Sequence, residues 1–227
     1  MEQVFKIRQD KNMTTNQPTE SKRKRAPSKR ALATKSRVFD AAEKVFAAHG
    51  FDGATIRDIA DEAGEPIGTI HHHGGGKEAL FHQTIARRAE TLSQARLTAL
   101  AQLRFRKDLT LEAVLSAFIR PFFDLTREDP RWRHYARLVA FVSVDDRWQD
   151  ISAQFFDPTA EVFIQELLTL VPHESRSQLA EGFVFSVSAM LALLTSRDRI
   201  GTLSGGQSEQ DAQINHLIRF CAAGLAV

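Results

Sequence analysis

Residues 55–77 read TIRDIADEAGEPIGTIHHHGGGK, and the rest of the chain takes its meaning from this stretch. Thr55 is placed to accept the orphan N–H groups of a helix start, and Asp58 three residues on can reach back to complete a capping box. Ile56, Ile59, Ala60 and Ala63 then share one helical face. Gly64 has the freedom for the left-handed conformation that ends such a helix, and Pro66 suits the first turn of the next, where no donor is lost. The pattern predicts two short helices joined by a tight turn.

Upstream, a helix is predicted from Thr34 with Thr34 as its cap, because Val38, Ala42, Val45 and Phe46 form an apolar stripe. His49-Gly50 ends it, and Phe51 is expected to tuck beneath. Downstream, Gly74-Gly75-Gly76 reads as a flexible break before a long helix from Lys77 to about Leu103, whose first turn would touch the helix pair and whose body would lead into a second domain. Further helical periods start near Thr110, with Pro121 expected to kink that helix, and near Asp129. They continue at Trp148–Phe156, Pro158–Leu170, Ser175–Ser196 and Glu209–Ala223, with GTLSGGQS (201–208) as a polar loop. No alternating strand of convincing length occurs, so the fold class is all-α.

With 227 residues and 43% hydrophobic content, the chain can bury a substantial core. No uninterrupted apolar run approaches the roughly 18 residues of a membrane span, and the polar, charged N-terminus does not resemble a secretory signal. A cytosolic protein without a membrane partner is expected. Cys221, the single cysteine, cannot form an internal disulfide and reads as a small buried helix residue.

The net charge of +2 hides an asymmetry. Lys22, Arg23, Lys24, Arg25, Lys29, Arg30, Lys35 and Arg37 are concentrated in a short span free of acids; setting those eight aside leaves 22 basic residues against 28 acidic. A basic arm on an acidic body points to a polyanion at one end, although a charge run alone fits a solvated tail equally well. Residues 1–33, which carry six of these eight cations, form an arm that lacks periodicity and is expected to be disordered without a partner.

The order of motifs resembles the DNA-binding domain of the TetR family of transcription regulators. The resemblance rests on Phe39-Asp-Ala-Ala-Glu with Phe46 and Gly50, Thr55-Ile-Arg-Asp-Ile-Ala, Ala63-Gly64, Gly68-Thr69-Ile70, His73 and Lys77-Glu-Ala-Leu80. It implies a three-helix helix-turn-helix domain over 34–81 and a helical effector-binding and dimerisation domain over 82–227. It further implies a homodimeric repressor on a palindromic operator, released by a small molecule, with no enzymatic activity and no cofactor. Two long, apolar C-terminal helices are what the family uses to build a dimeric four-helix bundle; their periodicity fits intrachain packing as well.

By the same resemblance, Ile67, Gly68, Thr69, His71 and His72 are candidates to face bases, with Arg57 reaching the groove from the preceding helix. Arg can read guanine edges, while Ile67 and the Thr69 methyl can touch thymine methyls. Thr55, His73 and Lys77 are candidates for phosphate contacts, and Lys22, Arg23, Lys24, Arg25 and Lys35 for the backbone or minor groove. Ile70 is expected in the core. The aromatics Phe118, Phe122, Trp132, Tyr135, Phe141, Phe155 and Phe163 are candidates for the wall of an effector pocket, which suggests an apolar or aromatic ligand. Most must also serve the core.

Departures from the family pattern cluster at Glu65, Pro66, His71, Gly74 and Gly76. Gly74 replaces an aromatic that would pack in the core of the small domain, a loss of roughly 3–5 kcal/mol, so restoring Phe there is expected to stabilise. His71, His72 and His73 do not make a metal site, since successive helical residues point about 100 degrees apart. Gly74-x-Gly76-x-x-Ala79 fails as a dinucleotide loop because no strand precedes it. No Ser-His-Asp or paired-carboxylate arrangement stands out. The competing reading is a helical binding module that uses its basic arm for non-specific contacts with polyanions or acidic proteins.

Overall fold

The computed structural model describes residues 28–206 and 209–226. The arm residues Lys22, Arg23, Lys24 and Arg25 lie outside this range. All regular structure among the described residues is helical. The order is α1 (Lys29–Gly53), α2 (Ile56–Ala63), α3 (Ile67–Gly74), α4 (Lys77–Arg106), α5 (Leu111–Glu128), α6 (Trp132–Val144), a 3-10 turn (Asp146–Trp148), α7 (Gln149–Phe155), α8 (Asp157–Leu170), α9 (Arg176–Thr195), α10 (Arg197–Ser204) and α11 (Gln210–Leu225).

The first helix begins five residues earlier than its apolar stripe indicates. Ser28 accepts from the Ala31 N–H and caps it, so the cap expected at Thr34 is an interior residue. Gly50, with φ at +68°, breaks the helix as expected, a conformation costly for any side chain-bearing residue. The break turns Phe51 onto Phe81 and Trp148, with ring centroids 5.3 and 4.8 Å away. Trp148 thus belongs to an aromatic cluster that joins the N-terminal helices to the 3-10 turn after α6.

Helix α4 runs without interruption from the small domain into the body, where it packs on α5. Its inward residues Leu80, Phe81, Ile85, Leu92 and Leu100 are fully buried. Helix α5 is capped by the Thr110 hydroxyl and continues through Pro121. Helix α9 opens with a capping box between Ser175 and Gln178 and packs against α6 and α11. By length and composition alone α9 is long and apolar enough to cross a membrane, although polar residues interrupt its apolar run. In the fold its Leu179, Phe183, Met190 and Leu191 enter the core.

Two loop expectations are corrected. The segment read as a polar loop after α9 is partly helix α10, which takes in Gly201–Ser204 and stops at Gly205 with φ at +73°. The glycine triplet is a tight turn and not a flexible break: Gly74 completes α3 and is buried, Gly75 has φ at +75°, and Gly76 stands at the start of α4.

Candidate nucleic-acid interface and interior cavity

Helices α2 and α3 form the expected pair. Thr55 and Asp58 make the full capping box: Thr55 Oγ1 accepts from the Asp58 N–H at 3.1 Å, and Asp58 Oδ2 accepts from the Thr55 N–H at 3.0 Å. The Thr55 hydroxyl also donates to Asp58. These bonds hold the Asp58 carboxyl below its ordinary value. Gly64, at φ +63°, ends α2 in the left-handed region, and its N–H returns to Ala60 and Asp61 carbonyls. Helix α3 has no side-chain cap, because Pro66 occupies the N-cap position. A cap residue there would contribute about 1 kcal/mol. Glu65 beside it pairs with Arg37 of α1, a tie from the turn back to the first helix.

Helix α3 presents two contrasting faces. Ile70 and Gly74 are buried, whereas Ile67, Gly68, His71 and His72, at i, i+1, i+4 and i+5, are all exposed. Ile67 keeps 47% of its surface in solvent, and an added Cβ at Gly68 would meet nothing within 4 Å. His71 Nδ1 lies 3.0 Å from the Gly75 carbonyl oxygen. A carbonyl only accepts, so Nδ1 carries the proton and neutral His71 presents Nε2 as an acceptor. His73 is half-buried; burial, then neighbouring His72 and Lys35, lowers its pKa below the usual imidazole value. Thr69 is half-buried, and Arg57 and Lys35 are exposed.

Lys77 is committed within the protein. Its ammonium donates to the Asp52 carbonyl at 3.3 Å and lies 4.6 Å from the centre of the Phe51 ring.

The space left by the missing aromatic at position 74 is already filled. A Cβ on Gly74 would lie 2.5 Å from Leu80 Cδ1 and 3.0 Å from Leu80 Cβ. Leu80 is fully buried, so it cannot swing into solvent to make room. The expectation that Phe would stabilise this position is therefore corrected: there is no void to fill.

In the body, a partly open cavity of about 260 Å³ is lined by α4, α5, α6, α7, α8 and α9 and by Phe156 between α7 and α8. Of the expected aromatic wall, Phe118 and Phe122 line it. Trp132, Tyr135 and Phe163 are buried elsewhere in the core, Phe155 is half-buried outside the wall, and Phe141 is 42% exposed. Tyr135 donates its hydroxyl to the Ile85 carbonyl at 3.2 Å, and burial pushes its pKa up. Arg96, not among the wall residues expected from the sequence, joins Phe118 and Phe122 there although only 6% exposed. The available signal was a charged residue within the buried stripe of Leu92 and Leu100.

Several ion pairs tie the small domain to the body. Arg147 grips Asp52 with two bonds of 2.9 and 3.0 Å, Arg131 meets Asp40 at 2.9 Å, and Arg88 Nε donates to buried Glu43 at 2.6 Å. None of these links has a local sequence signature, since the partners lie 45 to 95 residues apart.

Comparisons with known proteins agree across both halves of the chain. The profile of bacterial regulatory proteins of the tetR family matches residues 38–84, and that of the tetracyclin repressor-like C-terminal domain matches 116–224. The HTH-type transcriptional repressor AcnR of Corynebacterium efficiens is 38% identical over 65 residues, 27% of this chain and 35% of AcnR. That likeness therefore spans about a third of AcnR's length. The uncharacterized HTH-type regulator TtgW of Pseudomonas putida is 28% identical over 116 residues, 51% of this chain and 79% of TtgW. The crystal structure of a TetR-like transcriptional regulator from a Rhodococcus species superposes with a TM-score of 0.61 at 20% identity, covering 89% of this chain and 99% of that one. With family profiles on both its N-terminal helices and its body, and with the shared all-helical fold, the chain belongs to the tetR family of bacterial regulatory proteins.

Proposed function

We propose that this protein is a DNA-binding transcriptional repressor that acts as a homodimer on a palindromic operator and is released by a small molecule bound in the body. The observation that carries the reading is the exposed row of Ile67, Gly68, His71 and His72 on α3, held at a fixed angle by the capped α2. Such a row is what a recognition helix needs in the major groove. Bare Gly68 permits close approach of the helix, Ile67 can meet a thymine methyl, and His71 Nε2 can accept from a base amino group. Arg57 and Lys35 remain exposed for the groove or phosphates, whereas Lys77 is engaged with Asp52 and anchors the turn.

Dimerisation is supported by apolar side chains that the single chain leaves uncovered on adjacent helices. Phe185 of α9 is 69% exposed and Phe220 of α11, which packs against α9, is 67% exposed. Release is supported by α4, which carries Arg88 to Glu43 of the small domain and Arg96 to the cavity on one rigid element. A ligand that binds better to a form with the reading heads wrongly spaced draws the population away from DNA.

Selection of duplexes from a random pool by the full chain tests the reading. Recovery of a palindrome whose half-sites lie about one helical turn apart is expected. Retention of duplexes without a common sequence would instead favour a non-specific polyanion binder.

A further inference from the structure

Helix α4 buries two arginines about 12 Å apart along its axis, and their surroundings differ. Arg88 is answered by Glu43 at 2.6 Å and by Asp129 at 3.6 Å. Arg96, equally buried, forms no ion pair among the described residues. Its Nε donates to the Phe118 carbonyl at 2.9 Å, and its Nη2 has only the weak Met190 sulfur at 3.6 Å. The guanidinium carbon lies 3.7 Å from the centre of the Phe118 ring. Nη1 makes no hydrogen bond among the described residues. A buried guanidinium with one carbonyl partner is poorly compensated for its lost hydration, and this desolvation lowers its pKa to about 9.

Arg96 also stands in the wall of the cavity. The rest of that wall is mainly apolar: Leu92, Phe118, Phe122, Val139 and Phe183 among others. Two of its hydroxyls have already given their protons to the backbone, Ser143 to Val139 and Ser188 to Val184. The other charged residue of the wall, Asp157, is exposed and does not pair with Arg96. A fork of cationic donors at an otherwise apolar cavity is complementary to a ligand with one anionic head and an apolar body.

We propose that the cavity binds a small amphipathic carboxylate whose head forms the missing ion pair with Arg96 and whose apolar body lies against Phe118, Phe122 and Phe183. This names the chemical class of the effector and so rests on the reading of the cavity as the effector site. It also adds to the expectation of an apolar or aromatic effector the requirement for a negative charge. The planar guanidinium favours a carboxylate through paired, parallel hydrogen bonds.

Calorimetry and thermal melting of the full chain test the proposal with matched probes: octanoate against octanamide and octylamine, and benzoate against benzamide. In at least one pair the carboxylate is expected to bind roughly ten- to hundred-fold more tightly than its amide, and octylamine is expected not to bind. Arg96→Met should abolish the preference, and Arg96→Lys, which retains the charge without the fork, should keep part of it. The wild-type comparison stands even if Arg96→Met fails to fold. Equal binding of acid and amide in both pairs, or no binding of either acid, overturns the proposal, as does equal stabilisation by chloride or inorganic phosphate alone. A carboxylate that binds through Arg96 but leaves the selected duplex bound supports the anion site and overturns ligand release.

Discussion

Glu43 of α1, 1% exposed, accepts from Arg88 Nε of α4 at 2.6 Å, and this buried pair bolts the small domain to the helix that also lines the cavity. Arg87 lies 3.3 Å from the same carboxylate, and Arg88 also reaches toward Asp129, so the pair is the centre of a network. Removing one partner of a buried pair leaves the other's charge uncompensated. Glu43→Ala and Arg88→Met are each expected to cost about 3 kcal/mol or more. The double variant should lose less than the sum of the two, which urea melts of all four proteins would show.

Gly74 and Leu80 compete for one volume. Gly74→Phe is expected to lower stability by about 1–3 kcal/mol, because a side chain must displace a fully buried leucine in a packed site. Combining it with Leu80→Ala, which vacates that volume, should recover part of the loss. A higher melting temperature for Gly74→Phe alone would refute this account.

The acid response of the fold should involve His73 and His134, both shifted below the ordinary imidazole value, chiefly by burial. The neutral forms are favoured in the folded chain, so the unfolded chain takes up protons first as pH falls. The stability attached to these shifts is complete above about pH 6.5 and is lost as pH drops below it toward the folded values. Lowered carboxyls such as Asp58 and Asp129 titrate well below that window. Melting temperatures between pH 7 and 5 should therefore fall in the wild type and fall less in His73→Gln and His134→Gln.

The proposed dimer face is separable from the core by position along α9. Phe185→Glu with Phe220→Glu should give a folded monomer in sedimentation velocity, since both side chains are exposed in the single chain. Leu191→Glu should instead unfold the subunit, because Leu191 is only 4% exposed and its replacement would bury a charge. A double phenylalanine variant that stays dimeric would place the interface elsewhere.

What could be read from residues alone was whatever depends on neighbours in the chain. The capping box at Thr55 and Asp58, the positive-φ stops at Gly50 and Gly64, the buried face of α1 and the burial of Ile70 all follow from interactions spanning a few residues. Helical periodicity carried the all-α architecture for the same reason. The unexpected features depend on partners distant in sequence. Only the packed structure shows Leu80 filling the space at Gly74, Trp148 joining Phe51, Arg147 holding Asp52, or Leu191 inside while Phe185 stays outside. Arg88 and Arg96 illustrate the limit. Both are arginines in one apolar stripe of one helix, and nothing local tells them apart. Tertiary packing brings Glu43 to the first and an aromatic-lined cavity to the second, and so decides which is a structural tie and which is left in want of an anion.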